Sequence, residues 1–177
     1  MDFNRIRFKS LVHYVCWRCK DNTAKLGSTK LNKALWLSDF TRYYLTGVPV
    51  TGARYVKQQF GPVPRAIMPV LRELAEDGAV FAREVDFHGK TKTEFIVEKD
   101  PIVDFSPDEL ATIERVIAFV CEENTAHSIS ELSHDRVWHA ADDGEDIPYF
   151  TVFAVAGTIT DSDREWARQE IEAIATL

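Results

Sequence analysis

The chain carries one cysteine pair at a spacing used by zinc and redox sites, Cys16-Trp17-Arg18-Cys19. Zinc requires about four ligands, and a redox pair of this type normally follows a strand. Here no second pair follows, and the surrounding pattern is helical. Together with Cys121 the cysteine count is three, without an apolar signal core at the N-terminus, which indicates reduced thiols. Packing of these thiols is favoured, with metal or redox use as the alternative.

A second group of chemically capable side chains is His134, His139, Glu131 and Asp135. On one continuous helix, a five-residue spacing turns the two histidines about 140° apart, so they would share an ion only across a break. The sequence contains no GxGxxG, GxSxG, P-loop or HExxH motif. We therefore expect no enzyme and no cofactor, and a small metal-dependent enzyme using the His134 region is the third alternative.

Charge is divided unevenly along the chain. The net charge is −7, but residues 1–70 sum to +9 and residues 71–177 to −16. Such asymmetry indicates charged partners, or two solvated faces that partly neutralise each other. The order helix, turn, helix, hairpin over residues 28–97 is similar to a winged helix, and several basic side chains could meet phosphates. These are Lys57, Arg65, Arg72, Arg83, Lys90 and Lys92.

Acidic side chains on the third predicted helix oppose DNA binding, because Glu73, Glu76 and Asp77 would repel phosphates along its second half. A winged-helix regulator of its own operon is therefore the second hypothesis. The acidic loop at residues 142–146 is most simply solvated, although such a loop can also mimic nucleic acid for a basic partner.

The elements that position these residues follow from periodicity and from helix-start and turn signals. Apolar spacing predicts helices over residues 4–20 and 28–46, with Ser28 as a cap, and a third helix that ends at Gly78 and is opened or kinked by Pro69. Residues 54–60 are predicted to be extended, Gly61-Pro62-Val63-Pro64 to be a stiff turn, and residues 80–87 and 92–97 to form a hairpin. Ser106, Ser128 and Asp161 are predicted to start later helices.

These elements predict a mainly α fold with a β-hairpin (α+β), arranged as a single compact helical domain. The 177 residues, 45% hydrophobic and 28% charged, suffice for one core. We assign residues 1–150 to the domain and 151–177 to an extension with a terminal amphipathic helix. No apolar stretch approaches the roughly 20 residues needed to cross a bilayer, so we expect a cytoplasmic protein without membrane contact.

Several motifs in a fixed order carry a family resemblance. They are KLNKALWLSDF at residues 30–40, GVPVTG at 47–52, Tyr55, FGPVP at 60–64, and further on LSH at 132–134, Trp138 and IPY at 147–149. Their order and spacing over about residues 8–150 resemble the Panacea domain of SocA-like antitoxins, a family that includes phage-associated GepA-like proteins. Pro69 and the C-terminal extension depart from the usual pattern.

The resemblance implies an antitoxin of a type II toxin–antitoxin system, with a role in phage defence. Its partner would be a cognate toxin protein, commonly encoded by an adjacent gene, and some members deliver the toxin to a protease such as a Clp-type unfoldase. We predict that the GPVP turn, the extended segment before it and the aromatics of the second helix form the docking surface. The candidate partner-binding residues are Trp36, Asp39, Tyr43, Tyr55, Gln58, Gln59, Phe60, Pro62, Val63, Pro64 and Arg65.

Two alternatives for these residues stay open. Tyr55 and Phe60 could belong to the core instead of the surface. Asp39 and Asn32 could tie the second helix to a basic neighbour such as Arg5 or Arg7.

Overall fold

The computed structural model describes residues 2–87 and 89–156. Seven helices and five strands form in this part of the chain; the helix predicted from Asp161 lies outside it. The helices are α1 (Arg5–Arg18), α2 (Ser28–Thr46), α3 (Ile67–Glu76), α4 (Pro107–Ala118), α5 (Ala126–Ser133), α6 (Arg136–Ala140) and α7 (Val152–Ala156). The strands are β1 (Tyr55–Val56), β2 (Val63–Pro64), β3 (Val80–Phe87), β4 (Lys90–Val97) and β5 (Asp146–Ile147). The predicted α+β fold is confirmed.

Helix α2 is the centre of the core. It packs against α1, α4 and α5, and its apolar residues Leu31, Leu35 and Phe40 are buried. A helix that contacts neighbours on several sides must be apolar around most of its circumference. Its sequence meets this requirement, and Gly47 ends it in the left-handed conformation with φ of +74°. The predicted bounds 28–46 are confirmed.

The structure contains two small antiparallel sheets. In the order β2-β1-β5, Tyr55 pairs with Pro64 on one side and with Ile147 on the other. The prediction that Gly61 to Pro64 is a turn is therefore wrong for its second half, because Val63 and Pro64 form an edge strand. Proline is tolerated there because an edge strand has one row of backbone groups outside the ladder. The predicted hairpin is confirmed as β3 and β4, which pair from Val80 with Val97 onward.

Two predicted helix caps are displaced. Gly27 caps α2 without a side-chain hydrogen bond, so Ser28 is the first helical residue. Thr125 caps α5, and Ser128 is the third residue of that helix. The Thr125 amide donates a hydrogen bond to the Ser128 hydroxyl oxygen. Both serines fit a cap or the first turn equally well, so the sequence alone left the register open. The capping box at Ser106 is confirmed.

Pro69 opens α3 and does not kink it. It is the third residue of the helix, where an amide hydrogen has no intrahelical acceptor anyway. The helix continues beyond it to Glu76.

The two oppositely charged parts of the sequence pair with each other. Arg5 pairs with Glu73, Lys9 with Asp77 at 2.7 Å and Arg18 with Glu114 at 2.7 Å. Further pairs of this kind are Arg7 with Glu109, Lys20 with Asp100, and Arg54 and Arg65 with Asp146. Mutual neutralisation within one domain, the simpler of the two explanations for the charge asymmetry, is therefore seen directly.

Candidate partner-binding groove

A buried carboxylate, Asp39 on α2, fixes the position of the segment that follows the helix. The Thr51 amide donates to Asp39 Oδ1 at 2.6 Å, and the Thr51 hydroxyl donates to Oδ2 at 2.5 Å. The Tyr55 hydroxyl lies 2.7 Å from Oδ2, and the Tyr149 hydroxyl lies 3.3 Å from it. Burial raises the pKa of Asp39, although these donors oppose the shift. The predicted tie from Asp39 to Arg5 or Arg7 is wrong, because hydroxyl and amide groups surround the carboxylate.

A buried amine lies on another face of the same helix. Lys33 is 1% exposed, and its Nζ donates to the Pro62 carbonyl at 3.4 Å. Burial alone lowers its pKa to about 7. Gly61 makes this approach possible, because a Cβ on its backbone, with φ of +96°, would collide with Lys33 Nζ and Ser133 Oγ. Lys33 thus holds the Gly61–Pro62 backbone against the end of α5.

Beside this contact, α2, α5, α6 and α7 enclose an apolar groove of about 230 Å³. Trp36 and Leu37 line it from α2, and Pro62 lines it from the segment before β2. Phe119, Leu132 and Val155 also line the groove, and all three are among the exposed large apolar residues. Leu132 is 60% exposed, although it lies on a helix that also buries Ile129. A contiguous exposed apolar surface of this kind marks an interaction or ligand site in soluble proteins.

Polar atoms around the groove are incompletely paired. Trp36 Nε1 and His134 Nε2 are buried without a hydrogen-bond partner. The His134 ring stacks on Trp138 at 3.9 Å, and Trp138 donates through Nε1 to the Gln58 carbonyl at 3.2 Å. Burial, and secondarily the charge on Lys33, lower the pKa of His134. The Trp138 ring is thus held between His134 and the segment that joins β1 to β2.

The segments that form the outer walls are acidic. Residues 119–156 contain eight Asp or Glu residues and one Arg. Glu131 and Leu132 are adjacent and exposed, and Glu122 and Glu123 follow Phe119 closely. The groove therefore has an apolar lining with one charged side chain, Asp135, and the chain segments around it are acidic.

The predicted partner-binding residues do not form one surface. Trp36 and Pro62 line the groove. Gln58, Gln59, Phe60 and Val63 line a separate, more polar pocket of about 310 Å³, next to Ser28, Thr29, Asn32 and Lys33. The contact between Lys33 and the Pro62 carbonyl lies between these two openings.

The other predicted residues lie elsewhere. Asp39 and Tyr55 are in the core, with 0% and 1% exposure, and Pro64 is buried in β2. Direct contact between a partner and these buried side chains is excluded in this conformation, so Tyr55 belongs to the core, whereas Phe60 is 59% exposed. Tyr43 is half-buried and contacts the rings of Tyr149 and Phe153. Arg65 is exposed and bonded to Asp146 at 3.0 Å. A binding role for the accessible residues stays a prediction.

Sequence reasoning missed the part of the groove contributed by α5 to α7. The candidate residues did not include Leu132, Val137, Val152 and Val155. Leu132 and Trp138 were nevertheless part of the family motifs. A signal existed at Leu132, which lies three residues after the inward Ile129 and is flanked by polar residues. Its exposure depends, however, on how α5 sits against α2, which the local pattern does not specify.

The basic residues proposed for DNA are mostly engaged with protein groups. Arg65 and Arg83 pair with Asp146 and Glu94. Lys57 donates to the Ala141 carbonyl at 2.9 Å and lies 4.3 Å from the Trp138 ring centroid. Lys92 donates to the Ala24 carbonyl at 2.5 Å. Arg72 is exposed on α3 beside Glu73. The five basic side chains of this set that the structure describes therefore give no support to a phosphate-binding face.

The hypothesis of a metal-dependent enzyme gains no support within residues 2–87 and 89–156. His134 and His139 lie on either side of the break between α5 and α6, with ring centroids 6.4 Å apart. No group of three or more His, Cys, Asp or Glu side chains in these ranges could hold a metal ion. None of the helices there is long and apolar enough to cross a membrane.

The fold and the groove define a small, mainly helical α+β domain whose central helix also lines an apolar surface groove. The sequence model of the family "Antitoxin SocA-like, Panacea domain" matches residues 31–139. The chain belongs to this family, and membership supports an antitoxin-type role. The matched region contains most of α2, all of α3 to α5 and most of α6, and therefore Trp36, Leu132 and Trp138. No curated protein and no solved structure matches the chain.

Proposed function

We propose that this protein is the antitoxin of a type II toxin–antitoxin system and neutralises its cognate toxin by binding it directly. The observation that carries the proposal is the apolar groove, most of whose lining residues belong to the family-matched region. Toxin neutralisation needs a surface that binds protein, and apolar clefts with aromatic walls supply the anchors that dominate such interfaces.

The groove also indicates what kind of toxin segment it would hold. Its lining is apolar apart from the Asp135 carboxylate and three hydroxyl groups, and residues 119–156 contain eight acidic residues and a single arginine. Charge complementarity favours an amphipathic segment with apolar side chains on one face and Lys or Arg at its edges. We therefore propose a basic amphipathic helix of the toxin as the occupant.

Coexpression with the product of the adjacent gene tests the proposal. We expect a stable complex in which the toxicity of that protein is lost. Leu132→Lys should lower the affinity by at least about tenfold, since an ammonium would replace an apolar anchor and repel a basic segment. The matched control is Ile102→Lys, because Ile102 is also an exposed apolar residue, at 83%, and lies outside the groove.

The outcomes separate the hypotheses. Equal loss of affinity in both variants, or unchanged affinity in folded Leu132→Lys, would remove the groove as the toxin site. A complex in which the toxin stays active but is degraded faster by a Clp-type protease would indicate delivery instead of direct inhibition. An adjacent gene product that does not bind, together with salt-sensitive binding to upstream DNA, would favour the regulator hypothesis.

A further inference from the structure

Two of the three cysteines lie in one solvent-connected pocket away from the groove. Cys19 follows the last residue of α1, and Cys121 lies in the π-helical turn Phe119–Glu123 that continues α4. Both line a pocket of about 180 Å³, together with Arg18, Lys25 and Glu122. All three cysteines are free thiols, and Cys16 is 1% exposed and is not among the lining residues.

The two thiols of this pocket are not equivalent. Interaction with the Cys121 side chain lowers the pKa of Cys19 although burial opposes the shift, whereas interaction with Cys19 and burial raise the pKa of Cys121. Arg18, Lys30 and Lys25 lower the pKa of Cys19 further. Burial raises the pKa of Cys16. Within this pocket Cys19 therefore has the character of an attacking thiolate, and Cys121 that of a resolving thiol.

We propose that Cys19 and Cys121 form a redox-active dithiol that closes to an intramolecular disulfide by exchange with a low-molecular-weight disulfide. Both side chains line one pocket that admits a small molecule, with 8% exposure at Cys19 and 4% at Cys121. The adjacent pair Cys16 and Cys19 is the less suitable partner set, because Cys16 is enclosed in the core beside Val12 and Val15.

The exchange proceeds in two steps. The Cys19 thiolate attacks one sulfur of the small disulfide, forms a mixed disulfide and expels one small thiolate. Cys121 then loses its proton, attacks the Cys19 sulfur and expels the second small thiolate. The two protein thiols are oxidised, the small disulfide is reduced to two thiols, and the released protons go to these thiols.

The bond would join the end of α1 to the turn after α4. These points are far apart in the sequence, so the cross-link would close a loop of about 100 residues and restrict the unfolded chain. A disulfide that forms by thiol–disulfide exchange is opened again by an excess of small thiol. We therefore expect the modification to be reversible.

The full chain treated with oxidised glutathione tests the proposal, with peptide mapping by mass spectrometry under non-reducing conditions. We expect one product, with a bond between Cys19 and Cys121, a free Cys16, and a higher thermal midpoint that dithiothreitol reverses. Cys121→Ser should stop at a glutathione adduct on Cys19. Cys19→Ser should leave Cys121 unmodified over the same time, and Cys16→Ala is the control that should still form the bond.

The contrary results are distinct. A bond between Cys16 and Cys19, equal labelling of all three thiols, or no reaction of the folded chain would overturn the proposal. Rates of alkylation by iodoacetamide in the wild-type protein give a second measurement that does not depend on the folding of a serine variant. Cys19 must react faster than Cys121 and Cys16, and equal rates would count against the proposed roles.

Discussion

Helix α2 has two neighbouring regions that differ in how their polar groups are paired. Around Asp39, the carboxylate oxygens receive bonds from the buried Thr51 and Tyr55 and from the half-buried Tyr149. Around Trp36 and Leu37, the helix faces a groove in which an indole nitrogen has no partner and apolar side chains reach solvent. Satisfied buried polar groups stabilise a unique fold, whereas an open apolar surface contributes little until something covers it. About one helical turn thus separates a paired polar cluster from an open apolar surface, which is the surface that we propose for recognition.

The largest effect is expected at the Asp39 cluster. Asp39→Ala removes the acceptor for the Thr51 amide and hydroxyl and leaves a cavity, so we expect a loss of ~3 kcal/mol or more in the free energy of unfolding. Urea titration followed by circular dichroism measures it. Asp143→Ala is the control, since Asp143 is an exposed acid. A loss below ~1 kcal/mol at Asp39 would contradict the assigned role.

A second effect concerns pH and the buried amine. The folded protein holds the pKa of Lys33 at about 7, against an ordinary value of 10.5. Between these values the unfolded chain binds more protons, so stability rises with pH through this window. We expect the wild type to gain ~2 kcal/mol relative to Lys33→Met between pH 7 and pH 9. Unfolding of both proteins at the two pH values measures the difference, and parallel pH profiles would contradict the prediction.

The third prediction tests the comparison at the groove, where an exposed side chain should matter for binding and little for stability. Leu132→Ala should change the free energy of unfolding by less than ~0.5 kcal/mol, because the side chain is 60% exposed. The same change should weaken toxin binding by about tenfold, as expected of an interface anchor. Calorimetric titration and thermal unfolding give the two values. Loss of stability without loss of binding would reverse the comparison.

The smallest effect is expected at Arg65. Arg65→Glu breaks the pair with Asp146, but the side chains are 52% and 35% exposed and Arg54 also pairs with Asp146. We expect a cost of no more than ~1 kcal/mol, decreasing as salt is added. Thermal unfolding at low and high salt measures it. A larger, salt-independent cost would place this pair among the structural contacts.

Local signals predicted most of the elements but only part of the site. The bounds of α2 and the hairpin followed from periodicity and turn residues, and the capping box at Ser106 followed from four adjacent residues. The caps of α2 and α5 were displaced, since serine fits a cap or a first turn equally well. The candidate surface divided into a groove, a second pocket and the core, because burial of Tyr55 depends on β5, about 90 residues further along.

The sequence by itself determined the mainly α fold with a hairpin, the family and the apolar character of α2, because these depend on periodicity, caps and motifs within short segments. Only the tertiary structure decided that Asp39 meets Tyr149, that Lys33 is buried against Pro62, and that Trp36 and Leu132 share a groove. These contacts join distant segments, and their geometry depends on how helices pack, which the spacing of residues within one helix does not specify.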